Sequence, residues 1–167
     1  MAFSLKVVPQ SSDQHYREKL THLSLTIHRS SLLEIPMAFD YPDDLQYLDS
    51  HEYARVDEED NTVTIGISAF AVDQMGDVVF LELPDIGDTV EHGENFGTIE
   101  SVKAVEDLKS PVDGAVIDRN EALIESPEEI ANDPYGSSWL IKVQADDLSA
   151  LDDAMSAEEY KQQVEGE

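Results

Sequence analysis

At 167 residues, with 37 Asp and Glu against 10 Lys and Arg, the chain carries a formal net charge of −27 at pH 7. Such charge repels nucleic acid and anionic membrane surfaces and favours basic partners; the alternative is that acidity serves only solubility or a salty cytoplasm. The length suits one domain plus appendages, the absence of cysteine excludes disulfides and thiolate metal sites, and no apolar run approaches the roughly 18 residues of a membrane span.

Residues 1–36 differ from the rest. They hold four Lys and Arg, three Asp and Glu and three of the five histidines, leaving 6 basic and 34 acidic residues in 37–167, a net charge of −28. A transit peptide is poor in acids, whereas this stretch has Asp13, Glu18 and Glu34. The expectation is a dispensable extension over 1–36, with Met37 as an alternative beginning, followed by one domain over 37–167.

From Leu45 to Arg119 the pattern is mostly β. Ala54–Val56 breaks at the acidic turn Asp57–Asn61 and alternation resumes over Thr62–Ile67, which predicts a hairpin. Ser68 suits the N-cap of a short helix over Ala69–Met75, with Gly76 as its stop. Val78–Leu83 predicts a strand ended by Pro84-Asp85-Ile86-Gly87-Asp88, followed by short strands at Thr89-Val90 and Phe96–Ser101. Ala104–Leu108 returns after a turn at Lys103 that needs no glycine if it is of type I. Ser110–Gly114 reverses the chain into Ala115–Ile117. Breakers over 126–136 predict loop, Trp139–Val143 predicts a strand, and Leu148, Leu151 and Met155 fall at helical spacing. Ser156-Ala157-Glu158-Glu159 is a capping box that opens a C-terminal helical segment. Many short strands with late helices predict a mainly β sandwich or barrel.

Lys103 is the residue that stands out, at the tip of the hairpin Gly97-Thr98-Ile99-Glu100-Ser101-Val102-Lys103-Ala104. A lone lysine on a turn usually serves solubility. Here strands open at Gly76–Val79 before it and Gly114–Ile117 after it, so two similar β units meet at a lysine presented for covalent modification.

Four ordered blocks then carry a resemblance: Tyr47–Tyr53, Val78–Pro84, Gly97–Ala104 and Ser110–Gly114. Over about residues 41–161 the chain resembles the H-protein family of the glycine cleavage system. The resemblance implies a lipoyl-domain-like barrel-sandwich hybrid with short helices and a C-terminal helical segment, and lipoic acid attached covalently to Lys103. It also implies a non-catalytic carrier of the aminomethyl group of glycine. The implied partners are a pyridoxal-phosphate glycine decarboxylase, an aminomethyltransferase, a dihydrolipoyl dehydrogenase and a lipoylating enzyme, with no nucleic acid and no membrane. The compartment would be the cytoplasm in a bacterium or archaeon and the mitochondrion in a eukaryote.

Rival readings are a biotin carrier, a lipoyl module of a 2-oxoacid dehydrogenase complex, and an H-like protein that relays lipoate between enzymes. Methionines typically flank a biotinyl lysine, whereas Val102 and Ala104 stand here, and a 2-oxoacid dehydrogenase module is expected in a longer chain with an acyltransferase domain. A loaded arm carries an ammonium that a water-poor groove with carboxylate or hydroxyl groups protects. By the resemblance Ser50 and Glu52 occupy the family's Ser-His-Glu motif and Asp107 lies four residues beyond Lys103, so these three are the candidates. Among 37 acids, a solvated carboxylate is the plainer reading of any one. Tyr53 stands where Trp is common in the family, which bears on the groove's apolar wall.

His51 and His92 have no partner at metal-ligand spacing, and the Asp146, Asp147, Asp152 and Asp153 stretch lacks an EF-hand's glycine and terminal glutamate. Gly87 and Gly93 suit turns, since no phosphate-loop pattern surrounds them.

Overall fold

The computed structural model describes residues 39–166, so the expected extension over 1–36 lies outside the described residues. Strands β1 (Gln46–Tyr47), β2 (Glu52–Asp57) and β3 (Thr62–Ile67) precede helix α1 (Ala69–Met75). Then follow β4 (Val78–Glu82), β5 (Thr89–Val90), β6 (Asn95–Ser101), β7 (Val105–Lys109) and β8 (Gly114–Arg119). Helix α2 (Glu121–Glu125), strand β9 (Ile141–Ala145) and helix α3 (Ala157–Glu165) complete the order. The named strands all pair antiparallel and form two sheets, β1-β2-β3-β9-β8-β5 and β4-β6-β7.

Alternation puts one face of each sheet inward. Val63 and Ile65 on β3, Val116 on β8 and Val143 on β9 meet Leu81, Ile99 and Leu108 of the smaller sheet in the main core. Burial of such side chains stabilises by roughly 1.5–3 kcal/mol each. A second core, built on aromatic rings, ties the C-terminal helix to the larger sheet. Tyr47 and Tyr160 stack at 4.7 Å, and Tyr41 meets both edge-on. The capping box at Ser156 is present, with Glu159 N–H donating to Ser156 Oγ and Ser156 N–H donating to Glu159.

The expected β2–β3 hairpin forms, with Asn61 in the left-handed region that its short polar side chain tolerates. The helix over Ala69–Met75 also forms, with Ser68 as its N-cap. The expected loop over 126–136 instead contains a 3-10 helix, Pro127–Ala131, which buries Ile130. Helix α2 was not expected either; Asn120 starts it by accepting from Leu123 N–H. The strand expected at Trp139–Val143 lies two residues later, because its ladder partners on β3 and β8 begin at Ile141. Leu148, Leu151 and Met155 do not share a helix. A 3-10 turn over Ser149–Asp153 ends at extended Ala154, and Met155 exchanges two backbone hydrogen bonds of 2.8 Å with Tyr47. Among the described residues no helix is long and apolar enough to cross a membrane.

Tyr53 and Gly66 face each other across β2 and β3, and the fully buried ring of Tyr53 fills the space a side chain at 66 would take. The ring is pinned, because its hydroxyl donates to Pro134 O at 2.7 Å. Gly66→Ala is therefore expected to lower stability by about 1–3 kcal/mol through overpacking, measured as a urea midpoint shift at unchanged slope.

Candidate functional site

Ser101 closes the hairpin that presents Lys103. Its N–H donates to Ala104 O at 2.8 Å, and its Oγ accepts from Ala104 N–H at 3.1 Å and Lys103 N–H at 3.3 Å. Val102 N–H donates to Asp77 O at 3.0 Å, which ties the turn to the start of β4. Neither Val102 nor Lys103 has a positive φ, so the turn is made without glycine, as expected. Lys103 is exposed at its tip.

Gly76, the stop of α1, has φ +76°, a conformation that disfavours any side chain. The aliphatic stem of Lys103 runs past it, with Cε 3.7 Å from the position a Cβ at 76 would take. The lysine therefore lies against the end of α1, and one face of that helix opens onto a cleft. The cleft has a volume of about 290 Å³. Phe70, Ala71, Gln74 and Met75 of α1 form one wall, and Ile67, Ile99 and Leu108 supply apolar surface. Ser50, His51 and Glu52 line it on the β2 side, Glu106 and Asp107 on the β7 side. All three expected groove residues thus line one cleft. Lys103 sits at the hairpin beside it.

Glu52 is 2 % exposed and bridges the two sheets. From β2 its carboxylate accepts from the backbone N–H of Lys109 on β7 at 2.7 Å, and Ser50 Oγ donates to its other oxygen. Burial raises the Glu52 pKa, and the hydrogen bonds from Lys109 and Ser50 offset part of that rise. His51, between them, sits at φ 82°, a left-handed conformation uncommon outside glycine. Its Nδ1 is 2.7 Å from the Tyr160 hydroxyl, which is also 2.7 Å from the buried Ser68 Oγ. The C-terminal helix thereby holds the Ser50-His51-Glu52 turn and the start of α1.

Tyr53 does not line the cleft; it is fully buried in the second core. The apolar wall is supplied by Phe70, Ile67 and Met75 instead. Sequence reasoning missed Glu106. The signal was the alternation of β7, where Glu106 shares a face with buried Leu108 and stands opposite Ile99, while Asp107 stands opposite Thr98. Among the described residues no cluster of His, Asp or Glu is placed to hold a metal ion.

A family model described as glycine cleavage H-protein matches residues 45–167. The chain belongs to the glycine cleavage H-protein family. It is 63 % identical over 131 residues to the glycine cleavage system H protein of Nostoc punctiforme, a match covering 78 % of this chain and 100 % of that protein. The corresponding protein of Trichormus variabilis is 61 % identical over 130 residues, covering 78 % and 98 %. The crystal structure of a glycine cleavage system H protein from Mycobacterium marinum superposes with a TM-score of 0.69 at 38 % identity, covering 74 % of this chain and 98 % of that one. The two-sheet architecture is thus the barrel-sandwich fold of this family. By family the chain is a carrier subunit of the glycine cleavage system and not an enzyme.

Proposed function

We propose that the chain carries lipoic acid in amide linkage on Lys103 and conveys the aminomethyl group of glycine. The observation that carries this reading is the exposed lysine on a tight hairpin, its stem running past Gly76 beside a cleft lined by carboxylates. The residues fit the group. The lysine offers a primary amine for acylation, and the chain has no cysteine to compete with the cofactor's sulfurs. When bound, a lipoyl group supplies a disulfide that can take up the aminomethyl cargo on one sulfur, and a dithiol that is later reoxidised.

The protein's own residues supply reach and shelter. A lysine with a lipoyl chain extends on the order of 14 Å, enough to enter partner clefts while the domain stays outside. Glu52, held by Ser50 and Lys109, is a prefixed acceptor for the cargo's ammonium, and Asp107 supplies a second carboxylate across the cleft. Phe70, Met75 and Ile67 exclude water there, which strengthens charge-assisted hydrogen bonds. The partners in this reading are the pyridoxal-phosphate glycine decarboxylase, the aminomethyltransferase, the dihydrolipoyl dehydrogenase and the lipoylating enzyme. The relatives named above are bacterial, which supports the cytoplasm as the compartment.

The decisive experiment is peptide mapping after incubation with a lipoate ligase, lipoic acid and MgATP. A lipoyl increment on Lys103 supports the reading; an increment elsewhere, or none, overturns it. A chain beginning at Met37 is expected to melt within about 2 °C of the full chain and to be lipoylated at the same rate, because an extension outside the domain contributes little to its stability. Lost stability or modification in that chain would show that residues 1–36 belong to the domain.

A further inference from the structure

Among the described residues six large hydrophobic side chains are exposed, and four of them, Val79, Phe80, Val102 and Val105, surround the Lys103 hairpin. The register explains the grouping. Phe80 stands opposite Glu100 and Glu100 opposite Val105, so these three form one row across the outer face of the smaller sheet. At the ordinary strand spacing the outer two are about 10 Å apart. A register shift between Val78 and Phe80 inserts Val79 into β4, and such bulges re-aim side chains. Val79 and Phe80 are accordingly both exposed, at 56 % and 46 %, where strict alternation would bury one. Glu100 within this row and Glu82 in the neighbouring one border the apolar side chains with carboxylates.

We propose that this face, Val79, Phe80, Val102 and Val105 within an acidic border, is the docking surface for the enzyme that acylates Lys103. The proposal rests on the lipoyl reading above. Reach selects the occupant. Enzymes that act on the sulfurs meet the arm on the order of 14 Å from the backbone, whereas the acylating enzyme must bring its acyl donor to an amine only about 6 Å from the Lys103 Cα. That enzyme alone has to cover the side chains next to the turn. The lysine's neutral ε-amine attacks the carbonyl carbon of an acyl adenylate and the amide C–N bond forms. The acyl–phosphate C–O bond breaks, AMP leaves with its electron pair, and the amine's proton passes to solvent. Charge complementarity gives the enzyme's surface an apolar centre rimmed by lysine and arginine.

The test uses the full chain with a lipoate ligase, lipoic acid and MgATP, and follows initial loading by intact mass at two salt concentrations. Phe80→Ser and Val105→Ser are expected to slow loading at least about tenfold at low carrier concentration, as truncation of apolar anchors does. Ile86→Ser and Ile117→Ser, equally exposed but away from this face, are expected to change it less than about twofold. All four variants should melt with the wild type, since the side chains are exposed. Phe80→Ser and Val105→Ser chains lipoylated to completion should be reduced by NADH through dihydrolipoyl dehydrogenase at the wild-type rate. Loading of the Phe80 and Val105 variants at the wild-type rate, or an equal loss in the dehydrogenase reaction, would overturn the proposal. A wild-type chain that gains no lipoyl mass at Lys103 sinks the lysine assignment itself and is recognised before any variant is compared.

Discussion

Lys103→Arg is expected to take up no lipoyl group and to support no glycine decarboxylation with the three partner enzymes, a loss of activity to background rather than a partial decrease. Arginine keeps the positive charge at an exposed turn but has no primary amine to acylate. The backbone should not notice the change, because the hairpin is closed by Ser101 and by the Val102 N–H bond to Asp77, in which the lysine's side chain has no part. Melting temperatures of variant and wild type should therefore coincide. Lys109→Arg is the matched control. It replaces the nearest other lysine in the chain, whose backbone N–H donates to Glu52 and whose positive charge beside that carboxylate arginine keeps. Activity remaining in Lys103→Arg, or lost in Lys109→Arg, would place the modified lysine elsewhere.

The contrast between these two lysines shows what the sequence made legible. Period-two alternation located the β2–β3 hairpin, β4 and β6, and the strands on either side of Lys103 followed from it. Local chemistry located the caps at Ser68 and Ser156, because a hydroxyl accepting a backbone N–H three residues on is a short-range event. Long-range pairing was not legible. The start of β9 is fixed by Ile65 and Arg119, its partners opposite Ile141. Met155 left the helical series because Tyr47, over a hundred residues earlier, takes both of its backbone groups. The same holds within the cleft. Ser50 and Glu52 were reachable through a motif, but the bond from Glu52 to Lys109 joins two sheets and has no trace in either local sequence. Glu106 was readable by counting two residues back from Leu108, once β7 was known to turn that face inward. The left-handed backbone at His51 had no signal at all, since neither glycine nor asparagine marks it.

Glu52→Gln is expected to separate stability from function. Burial raises the pKa of Glu52, so the native state holds its proton to higher pH than the unfolded chain does. The sign follows by linkage. The contribution of Glu52 to stability is fully present below the ordinary carboxylate value of 4.5 and is lost as pH rises through the raised native value. Glutamine mimics the protonated form: its amide oxygen can still accept from Lys109 N–H and its NH2 can donate to Ser50 Oγ. The variant should thus be at least as stable as wild type at pH 7, with a flatter stability profile just above the carboxylate range, measured by urea denaturation across pH. Its cargo should fare worse. A charge-assisted hydrogen bond contributes about 1.5–3 kcal/mol, so without the negative charge the aminomethyl-loaded protein should release formaldehyde and ammonia roughly ten- to a hundredfold faster. Asp107→Asn, exposed and without a bond between the sheets, should shorten the lifetime less and leave stability unchanged. Reduction of the disulfide of each lipoylated, cargo-free variant by NADH through dihydrolipoyl dehydrogenase should match wild type, because no ammonium is present in that step. Equal cargo lifetimes in wild type and both variants would remove the carboxylates from the sheltering role. A Glu52→Gln chain that is markedly less stable at pH 7 would mean that the ionised carboxylate is held for the fold, and not at its expense.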